Sequence, residues 1–267
     1  MKQAWTFARR NTLETVRDPV LYIFCLGFPV AMLAMFQLIN RYTNGLTPTF
    51  QPRSLVPGIM MFSFTFVMLT MSLLVSRDKS TALLRRLYTT PLQPRCFVLG
   101  YAVPAVAIGI GQAFVCVGTG ALLAAVTGAD YFSFGAALLL ILSQLPILLF
   151  CVFLGILFGS LLNDKSAPGL TSIFITAAGI LGGAWMPLDT MGRFETFCRC
   201  LPFYPSVTVG RIITGATHSF GNHPTGFAAP YTFDRNAAFG LIPMTVFPIV
   251  TVVLSFVTFR RQMQKDN

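Results

Sequence analysis

The chain has 267 residues, of which 54% are hydrophobic and only 10% charged, and its formal net charge is +10. With a mean hydropathy of +0.69 it lies outside the range of soluble globular domains, which carry about 25% charged residues. The Lys and Arg residues sit between long apolar runs, with no interleaved basic and aromatic strip, so nucleic acid is excluded as a partner and membrane topology with anionic lipid explains the charge.

Residues 1–19, MKQAWTFARRNTLETVRDP, read as an interfacial helix on the cytoplasmic membrane surface, ended by Pro19. Trp5, Ala8, Thr12 and Val16 share one face, with Arg10, Glu14 and Arg17 turned away. Phe7 and Arg9 interrupt that pattern, and a plain basic tail is the alternative. A signal peptide is excluded, because the apolar run that follows is too long and no small-residue cleavage site closes it.

Six apolar spans are expected, over 20–40, 55–76, 96–126, 134–162, 168–184 and 240–259, each compared with about 20 residues for 30 Å of hydrocarbon. Pro146 breaks the fourth. The third is dense in small residues, which allow helices to approach closely. Within 55–76 and 168–184, Ser63, Thr65, Thr70, Thr171 and Thr176 are candidates to line a pathway, because polar side chains prefer a bundle interior to lipid. The alternative is that they bond their own backbones.

Between the second and third spans lies a charged island, residues 77–95, RDKSTALLRRLYTTPLQPR. Leu83, Leu84 and Leu87 recur at helical spacing, with Arg85 and Arg86 on another face. Pro91 and Pro94 stop the helix. A short amphipathic helix is expected here, either as a positively charged anchor or as a docking surface for a soluble partner, with Asp78, Arg85 and Arg86 making polar contacts around the leucines.

The segment 185–239 between the last two spans is too apolar for a solvated loop and too broken by Pro187, Pro202 and Pro205 for a further span. Two short re-entrant helices are expected at about 189–200 and 205–214, covering the outer end of the spans. Asp189 suits the start of the first and Ser206 that of the second. Trp185 is an interfacial residue type, and Arg211 is expected to reach headgroup level by snorkelling.

With both termini inside, thirteen of the 19 Lys and Arg residues face the cytoplasm, which favours that orientation. None of the six spans holds an ionisable residue, which argues against an ion-coupled carrier and against intramembrane proteolysis. No P-loop motif GxxxxGK[ST] occurs. Cys198 and Cys200 are too close in sequence for a mutual disulfide. His218 and His223 lack further ligands for a metal site.

Two stretches carry a resemblance. SRDKSTALLRRLYTTPLQPRCFVLGY, residues 76–101, and GGAWMPLDTMGRFETFCRCLPFYPSVTVGRIITG, residues 182–215, resemble the type-2 ABC transporter permease family, the membrane subunits of ABC exporters. The likeness implies one all-α permease domain, 1–267, which is not itself an enzyme. It implies dimers, homomeric or heteromeric, with cytoplasmic P-loop ATPase subunits that carry ATP and Mg²⁺. It also implies that 77–95 is the coupling segment, through Asp78, Lys79, Leu83, Leu84, Arg85, Arg86 and Leu87. Trp185, Pro187, Pro202 and Arg211 would form an outer re-entrant gate. The family exports drugs, lipids, peptides, polysaccharide precursors and sometimes sodium across the plasma membrane. The loop 217–239 is longer than the resemblance implies. The competing reading is a non-transporting scaffold or sensor subunit that holds a cytoplasmic partner and anionic lipid.

Overall fold

The computed structural model describes residues 2–19, 21–43, 48–81, 94–186, 188–218 and 230–266. Among these the fold is helical, with an isolated antiparallel bridge between Thr217 and Pro230 and no strand. Leu83, Leu84, Arg85, Arg86, Leu87, Pro187 and His223 lie outside the described residues.

Helix α1 spans Lys2–Arg17 and is followed by a π-helical turn, Leu21–Gly27, leading into α2, Phe28–Tyr42. Helix α3, Pro52–Ser80, carries the first residues of the charged island as its last turn. Helix α4, Pro94–Thr127, has Arg95 in its first turn. The fourth apolar run divides at Gln144 into α5, Phe134–Ser143, and α6, Leu145–Leu161. Pro146 causes this break, because proline disfavours helical backbone before it and lacks an N–H.

Helix α7, Ala167–Leu181, stops at Gly182, and Gly183 has φ +61°, a conformation that favours glycine. Two short helices follow, α8 at Arg193–Arg199 and α9 at Phe203–Thr214, before the long α10, Arg235–Asp266. Five helices are long and apolar enough to cross a membrane, at Tyr22–Tyr42, Pro52–Ser80, Arg95–Thr127, Phe134–Leu161 and Arg235–Arg261. Ala167–Leu181 is apolar but shorter; at 1.5 Å per residue it covers about 22 Å. The protein is therefore a multi-pass membrane protein.

Helix α3 is the centre. Of its most apolar window 89% is buried, against 28% for α2 and α4 and 22% for α10. It packs against α2, α4, α6, α7 and α9. Its contact with α6 is a backbone approach. A Cβ at Gly155 would lie 2.5 Å from the Met68 carbonyl oxygen, and one at Gly159 2.7 Å from that of Ser72. Farther out, a Cβ at Gly58 would lie 2.3 Å from the Ala184 carbonyl. Small residues at such crossings let van der Waals contact replace a hydrophobic drive that lipid cannot supply.

Helix α1 packs differently from its sequence pattern. Phe7, Ala8, Asn11 and Thr15 are buried, whereas Thr12 and Val16 are exposed. The Phe7 ring meets Phe97 and Tyr101 edge-on, and Asn11 Nδ2 donates to the Gly100 carbonyl at 3.2 Å. The face is chosen by the shape and hydrogen bonds of α4, which an amphipathicity count does not contain.

Gly155→Ala is expected to cost about 1–3 kcal/mol by overpacking against backbone that has no rotamer to move. Gly111→Ala on the open side of α4 has nothing within 4 Å and is expected to be neutral. Thermal unfolding in detergent compares the two; equal midpoints would show that the α3–α6 approach is not what fixes the bundle.

Candidate functional site

The polar chemistry gathers at the two ends of α3. At the C-terminal end Asp78 is 3% exposed, and a buried carboxylate needs donors. Tyr101 on α4 donates its hydroxyl to Oδ2 at 2.6 Å. Arg10 on α1 donates Nη1 to Oδ2 at 3.2 Å and Nη2 to Oδ1 at 3.1 Å. Arg10 also meets Glu14 at 2.7 Å. Burial works to lower the Arg10 pKa, but the hydrogen bond and charge of Asp78, with Glu14, outweigh it and raise the value.

One residue on, Lys79 Nζ donates to the Ser160 carbonyl at 2.8 Å. This satisfies an orphan carbonyl in the last turn of α6 and places a cation at that helix's negative end. Ser76 Oγ reaches Asp164 in the α6–α7 turn at 3.4 Å, and Arg77 meets Asp18 at 3.5 Å. The last turn of α3 therefore touches α1, α4, α6 and the α6–α7 turn immediately before residues 82–93. Asp78 and Lys79 are each held by an internal partner, Asp78 by Tyr101 and Arg10 and Lys79 by the Ser160 carbonyl.

At the N-terminal end of α3, Arg211 on α9 is 1% exposed and does not snorkel. Its Nε donates to the Ser54 carbonyl at 3.3 Å, Nη2 to the Gly183 carbonyl at 2.9 Å, and Nη1 to the Tyr231 hydroxyl at 3.5 Å. The Ser54 carbonyl in the first turn of α3 and the Gly183 carbonyl in the turn after α7 both face the guanidinium, whose fork reaches both. Tyr231 donates to Asp189 Oδ2 at 3.3 Å and stacks on His218 with ring centroids 3.7 Å apart. His218 Nδ1 lies 3.0 Å from the same carboxylate oxygen. Burial, supported by Asp189 and opposed by Arg211, raises the Tyr231 pKa. Asp189 thus serves the segment around Tyr231 and not the start of α8, whose preceding residue is Gly192.

Ser206 lies inside α9, not at its start. It donates to Gln144 Oε1, while Gln144 Nε2 donates to the Ser206 carbonyl at 2.8 Å. This buried pair ties α9 to the break between α5 and α6. Trp185 stands edge-on to Phe62 and stacked on Phe36, and Pro202 precedes α9. The expected two short helices are present, at nearly the expected positions.

Of the pathway candidates, Ser63, Thr65, Thr70 and Thr171 are buried and Thr176 is exposed. Each hydroxyl donates to a carbonyl three or four residues earlier in its own helix. Sequence reading missed Tyr101, Gln144 and Tyr231. Tyr101 and Gln144 are polar side chains within apolar runs, which was the available signal.

The family described as "ABC-2 type transporter" matches residues 2–214. No curated protein matches the chain.

Tyr101→Phe and Asp78→Ala are each expected to cost about 1–3 kcal/mol, one by removing a bond to a charged group and the other by orphaning a buried hydroxyl. The double variant is expected to cost less than the sum of the two. Denaturation midpoints in detergent measure this, and strict additivity would sever the proposed link. Arg211→Ala is expected to free α8 and α9, raising proteolytic cutting between Met191 and Phe203 by about one to two orders of magnitude. Unchanged cutting would mean that Arg211 does not hold the segment.

Proposed function

The chain belongs to the ABC-2 type transporter family and is the permease component of an ABC transporter; we propose that it works as one half of an ATP-driven exporter. In this reading two permease chains form the pathway. Separate cytoplasmic P-loop ATPase subunits, carrying ATP and Mg²⁺, drive it from residues 77–95. The termini lie in the cytoplasm, the membrane is the plasma membrane, and the solute moves outward.

The observation that carries this reading is the shared use of Asp78. Its carboxylate takes Tyr101 of α4 and Arg10 of α1 at the point where α3 ends. A displacement applied to the following residues, 82–93, reaches three helices together. Lys79 extends the same junction to α6. In this scheme Leu83, Leu84 and Leu87 dock in a groove of the ATPase with Arg85 and Arg86 around them. Asp78 and Lys79 pass the motion inward. At the far end Trp185, Pro187, Pro202 and Arg211 belong to the gate, which α3 meets through Ser54. Ser63, Thr65, Thr70, Thr171 and Thr176 remain the proposed lining, exposed to solute only when the helices part.

Leu84→Asp is expected to leave insertion and dimer formation intact while reducing transport-linked ATP turnover by tenfold or more. That fold loss corresponds to about 1.4 kcal/mol of coupling. The measurement is ATPase stimulation in vesicles holding the permease with its co-expressed ATPase subunit. Unchanged stimulation in Leu84→Asp would refute docking through the leucines. An ATPase that co-purifies but never responds to the permease would favour the scaffold reading instead.

A further inference from the structure

Helix α1 leaves an open cleft of about 620 Å³ against the end of α3, lined by Arg10, Leu13, Glu14, Arg17, Asp18, Pro19 and Arg77. The three arginines are not equally occupied. Arg10 is held by Asp78 and Glu14. Arg77 meets Asp18 only at 3.5 Å, with about half of its side chain exposed. Arg17 has no acidic partner among the described residues and is exposed. Arg17 and Arg77 are therefore available to an anion, and Arg9, also exposed, lies one turn before Leu13 on the same outward face.

Beside these cations the surface is apolar. Leu13 is 49% exposed and Val16 42%; past Pro19, Tyr22 and Ile23 are 47% and 63% exposed. Basic residues interleaved with exposed apolar ones, at the point where a charged helix gives way to a membrane span, match the cross-section of an anionic lipid. A free anion would use the arginines but leave the apolar strip unexplained. We propose that this cleft binds one anionic phospholipid, its headgroup phosphate held by Arg17 and Arg77 and its acyl chains running past Leu13, Tyr22 and Ile23. Phosphate oxygens suit guanidinium forks, which offer paired donors. The bound lipid bridges α1 and α3 at the place where Asp18 and Arg77 meet, beside the Asp78 junction.

The proposal rests on α1 lying at the membrane interface, and its test is independent of transport and of the ATPase. The full chain in a mild detergent is equilibrated with phosphatidylglycerol or with phosphatidylcholine of the same acyl chains, and retained lipid is counted by native mass spectrometry. One phosphatidylglycerol per chain is expected, in preference to phosphatidylcholine. Arg17→Gln with Arg77→Gln is expected to weaken retention by about thirtyfold, the weight of two arginines at an anionic surface. Arg260→Gln, which removes an exposed cation elsewhere, is expected to leave retention unchanged, and Leu13→Ser to weaken it. Equal retention of the two lipids, or equal loss in Arg260→Gln, would overturn the site. Release by inorganic phosphate at millimolar concentration would make it a soluble-anion pocket. Expulsion of the lipid when the ATPase subunit binds would make it a protein-docking surface.

Discussion

A helix buried on every side has no face on which to yield, and α3 is such a helix. Its neighbours come within backbone contact at Gly155, Gly159 and Gly58, so they must follow it or lose packing. Interiors this close-packed transmit displacement and do not absorb it. The 29 residues of α3 make a rod of about 43 Å, and everything polar that matters is hung on its two ends.

At the C-terminal end α3 contributes charged side chains, Arg77, Asp78 and Lys79, which meet Asp18, Arg10 and the Ser160 carbonyl. At the N-terminal end α3 contributes backbone carbonyls, from Arg53 and Ser54, which accept from Thr214 and Arg211 of α9. The difference follows from what each end must hold. The C-terminal end joins separate helices through side chains, Asp78 with Tyr101 and Arg10, and Lys79 with the Ser160 carbonyl. The N-terminal end meets α9 and a glycine turn, and one buried guanidinium donates to a carbonyl of α3 and a carbonyl of that turn. Arg211 is tolerable there because its donors are used by the chain and not left to lipid.

Much of the architecture was legible in the sequence because lipid imposes a blunt rule: long runs without charge are spans. The break before Pro146 and the two short helices after Gly183 followed from proline and glycine. The face of α1 was not legible, because its partner is α4 and Phe7 fits beside Gly100 for reasons of shape. The inward turn of Arg211 was not legible either, since its acceptors are carbonyls 28 and 157 residues away in sequence. Hydropathy distinguishes apolar from polar but not protein-facing from lipid-facing, so the burial of α3 beside the exposure of α4 had no sequence signature. The short α7 shows the same limit: its composition reads as a span, while its length is set by where Gly182 ends it.

The middle of α3 is built in the opposite way from its ends. Ser63, Thr65 and Thr70 close their hydroxyls on their own helix. Two hydrogen bonds cross to neighbours there, Gln112 Nε2 to the Ser63 carbonyl at 3.0 Å and Thr171 Oγ1 to Ser72 Oγ at 3.4 Å. The remainder is aromatic and aliphatic contact, which is non-directional and individually weak per atom pair. Directional bonds fix where each end of the rod sits; between them the glycine crossings set the register and the Gln112 and Thr171 bonds join α3 to its neighbours. Polar attachment at both ends with apolar packing between makes Asp78 and Ser54 the two fixed points of one rod.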